Sequence, residues 1–444
     1  KGNQWKTFPS FSLGWNVARE HFFEPLNNIV NILKFRASYG LLGNQNTTNW
    51  YQTYQTMSVG SSNGAWLMSG NKPNTASAPG LVSASLTWET IESYNLGLDW
   101  GVFNNRLTGS FDWYIRDTKN MVGNAPELPA LLGTGVPITN NTDLRTSGWE
   151  LSIGWNDRLN NGFTYGAKFN VSDARTKITR YPNNPTKAVS TYIEGRYTNE
   201  IWGYTTVGLA KTDEEMQAHL ATMPNGGQSA LGSDWKAGDI MYADINGDGK
   251  ISGGSGTLND TGDWTVIGNT TPRYLFGLDL NASWKGFDLR MFFQGVMKRD
   301  FWQGSTYLFG ASNSGMWHDT GIESVSDYFR NDDTWSVQEG YQGPNLNSYL
   351  PRPLYSNKNL QTQTRYLQSA AYIRLKNLQL GYTFPTRLTS RYGVQKLRIY
   401  FSGENLWTGT SLVDQFDPET ISGGSGGNGY PLSRTLSCGL SVTF

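Results

Sequence analysis

The closing stretch Thr435-Leu-Ser-Cys-Gly-Leu-Ser-Val-Thr-Phe444 decides how the rest of the chain is read. Leu436, Cys438, Leu440, Val442 and Phe444 share one face of a strand, and Ser437, Gly439, Ser441 and Thr443 share the other. A period of two with one apolar face marks a half-buried strand. In a soluble sandwich that face is core. In a transmembrane barrel it meets lipid, and the small polar face lines a lumen. A strand that ends on Phe444 gives weight to the second reading.

The same alternation recurs along the chain. Phe11, Leu13, Trp15 and Val17 oppose Ser12, Gly14 and Asn16; Leu33, Phe35, Ala37 and Tyr39 oppose Lys34, Arg36 and Ser38. Further strands are expected around Tyr94–Trp100, Leu107–Ile115, Trp149–Trp155, Phe163–Val171, Tyr274–Trp284, Phe287–Gly295, Leu378–Phe384 and Leu397–Gly403. With the terminal segment this gives about 11 strands. Trp15, Tyr39, Trp100, Trp113, Trp155 and Trp284 sit at strand ends on apolar faces. That placement suits the aromatic girdles of a membrane interface. Ordinary cross-strand aromatic pairs are the alternative.

Composition agrees with a β protein rich in turns. The chain has 444 residues, with 51 Gly, 23 Tyr, 20 Phe and 17 Trp. Its formal net charge is zero, which removes the bulk electrostatic case for nucleic acid. The single cysteine, Cys438, excludes an intrachain disulfide framework and a thiolate metal cluster. No run approaches 18 apolar residues, so no transmembrane helix is expected, which leaves barrel strands open. No signal peptide is visible at Lys1, so one has been removed or the natural start lies upstream.

The connections favour the barrel. Short turns are expected at 103–105, 157–162 and 285–286, with about a dozen residues from Pro385. Long Gly/Asn/Ser-rich segments fill the alternate gaps, at 42–85, 119–146, 175–272, 298–370 and 405–434. Outer-membrane barrels alternate short periplasmic turns with long extracellular loops. The terminal strand then descends and places Phe444 in the periplasm. An odd count near 11 does not close a bacterial barrel, and open edges in lipid are not viable. The chain is therefore expected to be the C-terminal portion of a larger barrel, or one of its two pieces.

One motif carries chemistry. Asp244-Ile-Asn246-Gly-Asp248-Gly-Lys250-Ile251 matches the first half of a Ca²⁺ loop, D-x-[DN]-x-[DN]-G. Asp244, Asn246 and Asp248 would offer side-chain oxygens and Lys250 its carbonyl. The twelfth position is Ser255 and not Glu, so this is no EF-hand. The Gly253–Gly256 insertion postpones the closing carboxylate to Asp263, with Asp260 the lesser candidate. A metal-free Asx-rich turn is the alternative. Gly423-Gly-Ser425-Gly-Gly427 matches G-x-S-x-G only formally, without a strand–turn–helix setting. His21, His219 and His318 show no metal-ligand spacing, and no carboxylate pair stands out as an acid/base couple. Trp66, Tyr307, Trp317, Trp335 and Tyr341 lie in the long connections. They suit stacking on sugar rings, packing against a partner, or packing among themselves.

Seven segments together carry a family resemblance. They are Thr7-Phe-Pro-Ser-Phe-Ser-Leu-Gly-Trp15, Leu33-Lys-Phe-Arg-Ala-Ser-Tyr-Gly40 and Leu86-Thr-Trp-Glu-Thr-Ile-Glu-Ser-Tyr-Asn-Leu-Gly97. Gly238-Asp-Ile-Met-Tyr-Ala-Asp-Ile-Asn-Gly-Asp-Gly249, Val266-Ile-Gly-Asn-Thr-Thr-Pro272, Tyr372-Ile-Arg-Leu-Lys-Asn-Leu-Gln-Leu-Gly-Tyr382 and Phe401-Ser-Gly-Glu-Asn-Leu-Trp407 follow in order. In these segments the whole of 1–444 resembles the C-terminal part of SusC/RagA-like TonB-dependent outer-membrane transporters of Bacteroidetes. The resemblance implies an all-β fold, an antiparallel transmembrane barrel of 22 strands with a plugged lumen. It implies import driven by TonB, ExbB and ExbD, with a SusD-like surface lipoprotein as lid. It implies oligosaccharide cargo in most members and peptide in some. The plug, the TonB box and the earlier strands are not among these 444 residues, and the 244–263 segment is longer than the family's tighter pattern.

The expected role is thus barrel wall, lumen lining and capture loops of an importer, embedded in outer-membrane lipid, with no bond chemistry. A soluble or surface β-sandwich that binds glycan and holds a structural calcium is the competing reading. It would bury the apolar face and need no detergent. A β-rich glycoside hydrolase would need two placed carboxylates, and none are nominated.

Overall fold

The computed structural model describes residues 5–45, 53–61, 67–83, 85–127, 129, 131, 134–309, 326–422 and 429–444. Eleven strands form one sheet in sequence order. They are β1 (Ser10–Asn16), β2 (Val30–Asn44), β3 (Glu89–Val102), β4 (Leu107–Asn124), β5 (Ile138–Arg158) and β6 (Thr164–Arg180). Then come β7 (Arg273–Trp284), β8 (Phe287–Lys298), β9 (Tyr372–Thr383), β10 (Lys396–Thr410) and β11 (Thr435–Thr443). Every strand expected from the alternation is present, and the sheet is a large antiparallel one.

The register shows why the alternation works. Ala167, Leu280, Met291, Leu378, Gly403 and Leu436 pair successively across β6 to β11. The neighbouring row is Tyr165, Ala282, Leu289, Leu380, Phe401 and Cys438. Such rows place like side chains side by side on one face, the unit of sheet stabilisation. A slip of one residue would turn the whole row over. Towards β11 the rows stay open to the surroundings: Leu380 is 49% exposed and Leu436 66%.

Turn chemistry closes the hairpins. Lys285 and Gly286, between β7 and β8, both have positive φ (47° and 91°), the two-residue turn whose twist matches the strands. A side chain at Gly286 would stand 2.6 Å from the Thr383 carbonyl oxygen. Phe103, Asn104 and Asn105 turn β3 into β4 with three successive positive φ values. In β11, Gly439 lies opposite Tyr400, whose ring fills the space where a Cβ would sit.

Two details depart from expectation. Val17 does not extend β1; it opens a 3-10 turn, Val17–Arg19, and packs with Ala18 and Phe23 under Val30 and Leu33. Several strands also run further into the long connections than the alternation predicts, to Asn44, Asn124, Arg180 and Thr410, and β5 begins at Ile138. Where neither face is apolar the ladder continues without a periodic signal.

The chain divides into two compact units: Lys1–Trp100 with Ser110–Glu150 and Ala174–Thr198, and Gly101–Gly109 with Leu151–Asp173 and Asn199–Phe444. In the second, the main hydrophobic core lies outside the sheet, in the long connections. Tyr204, Met216, Ile240, Tyr242, Ile251, Phe309, Phe329, Leu350 and Tyr366 are among its most buried members. No described helix is long and apolar enough to cross a membrane.

Candidate functional site

The connections after β6, β8 and β10 build a cap with its own core, and its sequence shows how. Thr212 caps the helix α1 (Asp213–Ala221), accepting from the Glu215 N–H at 3.2 Å. Glu215 reaches back past the cap to accept from the Lys211 N–H at 2.6 Å, which ties the entering chain to the first turn. Asp213, Glu214 and Glu215 lie in the first turn, where the helix dipole favours negative charge. Met216 turns inward beneath the ribbon formed by Thr206–Leu209 and Ile240–Tyr242. The Gln228 side chain, fully buried, acts as a surrogate strand: its amide donates to the Ile240 carbonyl at 3.0 Å and accepts from the Tyr242 N–H at 2.6 Å.

Beside this ribbon sits a buried charge cluster. Asp239 is fully buried and accepts from Arg352 through both oxygens, at 2.8 Å each. Lys358 Nζ lies 2.9 Å from its Oδ2, and Asn359 donates to Oδ1 at 2.9 Å. Burial works to raise the Asp239 pKa, but the bonds from Arg352, Asn359 and Lys358 outweigh it and hold the carboxyl below its ordinary range. Burial also pulls the Lys358 ammonium down, against the pull of Asp239. Lys358 additionally donates to the carbonyls of Ser233 and Asp234 and lies over the Trp235 ring. The cluster ties 233–239 to 352–359 across more than a hundred residues of chain. In the sequence Asp239 stands out only as a carboxylate directly before the buried run Ile240–Tyr242.

The acidic loop lies at the edge of the cap. Asp244 accepts the Gly247 and Gly249 N–H groups at 2.7 and 2.9 Å. Asn246 accepts from the Asp248 N–H and Asp248 from the Lys250 N–H, at 3.0 and 3.1 Å. These successive Asx turns wind Asp244, Asn246, Asp248 and Lys250 into one tight loop, with Gly247 and Gly249 at positive φ. Asp263 is fully buried, and its two oxygens accept from the Ile245 and Ser252 N–H groups at 2.8 Å each. It thereby clasps both ends of the loop. Asp260 instead accepts from the Ser255 N–H. The first half of the donor set fits a hard cation. No group of three acidic, His or Cys side chains placed for a metal occurs among the described residues.

Of the loop aromatics, Trp335 and Tyr341 are both exposed and lie against each other, with ring centroids 5.4 Å apart. Tyr307 falls in the short helix Thr306–Phe309. Trp66, Trp317 and the 423–427 Gly/Ser run lie outside the described residues.

The polar face of the sheet carries paired charges. Arg36 bridges Asp99 and Asp112 at 2.8 and 2.9 Å. Asp279 pairs with Arg290, and Asp288 with Arg398. At the long-connection end of β9, Arg374 holds Asp417 and Glu419 at 2.8 Å each, and Lys376 holds Glu419 at 3.1 Å. This fixes the start of the last long connection to the wall. His219 is held neutral by burial, with Gln228 its partner at 3.3 Å.

This arrangement of wall and cap matches known proteins. Residues 1–296 match the family model described as TonB dependent receptor-like, beta-barrel. TonB-dependent receptor P3 of Formosa agariphila is 29% identical over 100% of this chain and 42% of that receptor. TonB-dependent receptor SusC of Bacteroides thetaiotaomicron is 26% identical over 100% of this chain and 40% of that receptor. The chain thus spans about two fifths of the length of these relatives. Among solved structures, that of the RagAB peptide transporter superposes with a TM-score of 0.71 at 22% identity, over 98% of this chain and 43% of that chain. This likeness shows a shared fold. With its eleven-stranded sheet, exposed apolar rows and family match over two thirds of its length, the chain belongs to the TonB-dependent receptor-like β-barrel family of the outer membrane.

Proposed function

We propose that this chain supplies barrel wall and capture loops to a SusC-like outer-membrane nutrient importer. Its work is transport and not catalysis. The observation that carries the reading is the alignment with SusC over the whole chain, joined to apolar rows that stay exposed across the sheet. In this reading the apolar rows face lipid. The polar face, with Arg36, Asp99 and Asp112, lines a lumen closed by a plug from an upstream segment. The long connections are extracellular and Phe444 ends in the periplasm. A SusD-like lipoprotein closes over the cap, and TonB, ExbB and ExbD act through the plug region. Cargo capture and TonB pull must favour different states of plug and cap, because a ligand equal in both states shifts nothing.

The cargo proposed is an oligosaccharide. The exposed, adjacent rings of Trp335 and Tyr341 support it, since such rings offer flat apolar surface to sugars. Peptide cargo is the other outcome of the test. The 244–263 loop is proposed to hold a structural Ca²⁺ through Asp244, Asn246, Asp248 and the Lys250 carbonyl, with Asp263 as the closing residue.

The test is detergent extraction of the native outer membrane through a tag on this chain, with mass spectrometry of what co-purifies. Uptake of defined oligosaccharides and peptides follows, in wild type and Trp335→Ala/Tyr341→Ala. An upstream barrel-and-plug segment, a SusD-like lipoprotein and impaired oligosaccharide uptake support the reading. A chain recovered alone and soluble without detergent supports the β-sandwich instead. Uptake of peptides only reassigns the cargo.

A further inference from the structure

On the apolar face of β1 to β4 lies a trough of about 650 Å³, within the first compact unit. Phe11, Leu13, Tyr39, Tyr94, Leu96 and Trp113 bound it, and the small Ala37 leaves it open. Towards the long-connection end the trough meets charge. The Tyr39 and Tyr94 hydroxyls, from rings that line it, both donate to Glu92, at 2.9 and 2.8 Å. Glu92 also holds Lys119, and Asp117, two residues before Lys119 on β4, holds Arg145 at 2.7 Å. Four residues of strand, about 13 Å, separate Leu96 from Glu92 and Ile115 from Lys119. In both pairs the carboxylate is the shielded partner. The Lys119 side chain is 47% exposed against 15% for Glu92, and Arg145 51% against 9% for Asp117. The surroundings therefore meet two cations, each held in place from behind.

We propose that this trough and its cation pair form a binding site for a phosphate-bearing glycolipid of the outer leaflet. An acyl chain lies against Ala37, and the phosphate meets Lys119 and Arg145. Apolar length below and positive charge above match the two ends of such a lipid. An uncharged lipid would leave the cations without a partner beyond their own carboxylates. The proposal rests on the lipid-facing reading of the apolar rows, and the experiment separates the two.

Full-length receptor, purified in mild detergent and stripped of lipid, is titrated with lipid A and with its dephosphorylated form, and adducts are counted by native mass spectrometry. Ala37→Trp fills the trough, and Lys119→Gln with Arg145→Gln removes the cations. The expected result is one lipid A adduct on wild type, weakened at least tenfold in each variant and for the dephosphorylated lipid. Equal adducts throughout, or none on wild type, overturn the site. Heat-modifiable gel mobility and detergent dependence are read on the same samples. If these persist while adducts fail, only the lipid site falls. If the wild type is soluble without detergent, the lipid-facing reading falls and takes the site with it.

Discussion

At Asp239 one fully buried carboxylate pairs with two cations, Arg352 and Lys358. Replacing it by Asn keeps the shape and strands Arg352 and Lys358 without a counter-charge. Breaking a buried pair in this way costs about 3–5 kcal/mol. Asp239→Asn is therefore expected to open the cap while the sheet persists, seen as faster hydrogen exchange over 233–242 and 352–366 with unchanged exchange in β7 to β11. Equal exchange in the two proteins would show the cluster to be incidental. The pH dependence follows from the same contacts. The folded carboxyl is held below its ordinary range. Its contribution is thus complete above the unfolded pKa of about 3.9 and is lost as pH falls through the folded value. Protection of the cap amides, relative to their intrinsic exchange rates at each pH, should be flat from neutral pH down to about 5 and fall only at more acid pH. Lys358 acts in the opposite sense. Its lowered pKa means that keeping the ammonium charged costs stability at neutral pH, recovered only as pH climbs towards the ordinary lysine range.

Among elements, the 244–263 loop and the strand β11 make the clearest contrast. The loop winds itself through Asx turns, and Asp263 clasps its ends. Asp244→Ala with Asp248→Ala removes three of those backbone contacts and should raise protease sensitivity over 240–265 severalfold, leaving the barrel folded. If Ca²⁺ is bound, chelator should raise it in the wild type and not in the variant; indifference of both to chelator would remove the ion. In β11 the constraint is packing. Gly439 lies under the Tyr400 ring, which occupies the space a Cβ would take. Gly439→Val is expected to push that ring aside and slow assembly of the terminal strand, measured as a smaller heat-resistant fraction on gels. The same change at Ser441, opposite Arg398, should be milder.

At the scale of the whole molecule, stability divides between two places. The sheet leaves its apolar rows exposed, so in water it is an aggregation hazard and in a bilayer it is satisfied. The cap, by contrast, buries its own core in the manner of a soluble domain. Expression of 1–444 alone is therefore expected to give insoluble or oligomeric material, since among the described residues β1 and β11 are the edge strands of the sheet. Co-expression with an upstream barrel segment should restore a detergent-soluble, heat-modifiable species. A monodisperse monomer of 1–444 without detergent would contradict the barrel.

The eleven strands were legible in the sequence because each needs one apolar and one polar face, a demand written residue by residue, as at Leu436 to Phe444. The hairpin at Lys285–Gly286 was legible because a two-residue turn of that hand constrains its own residues. The acidic loop was legible for the same local reason. The Asp239 cluster was not, because its partners Arg352 and Lys358 lie over a hundred residues away and nothing local distinguishes a buried carboxylate from a solvated one. Nor was the full reach of β5 and β6, where both faces are polar and the ladder leaves no period behind. The sequence by itself determined which faces are apolar and where the chain turns, since these depend on neighbours in the chain. Only the tertiary structure decided which distant charges meet, and that the long connections fold into a cored cap, since those depend on neighbours in space.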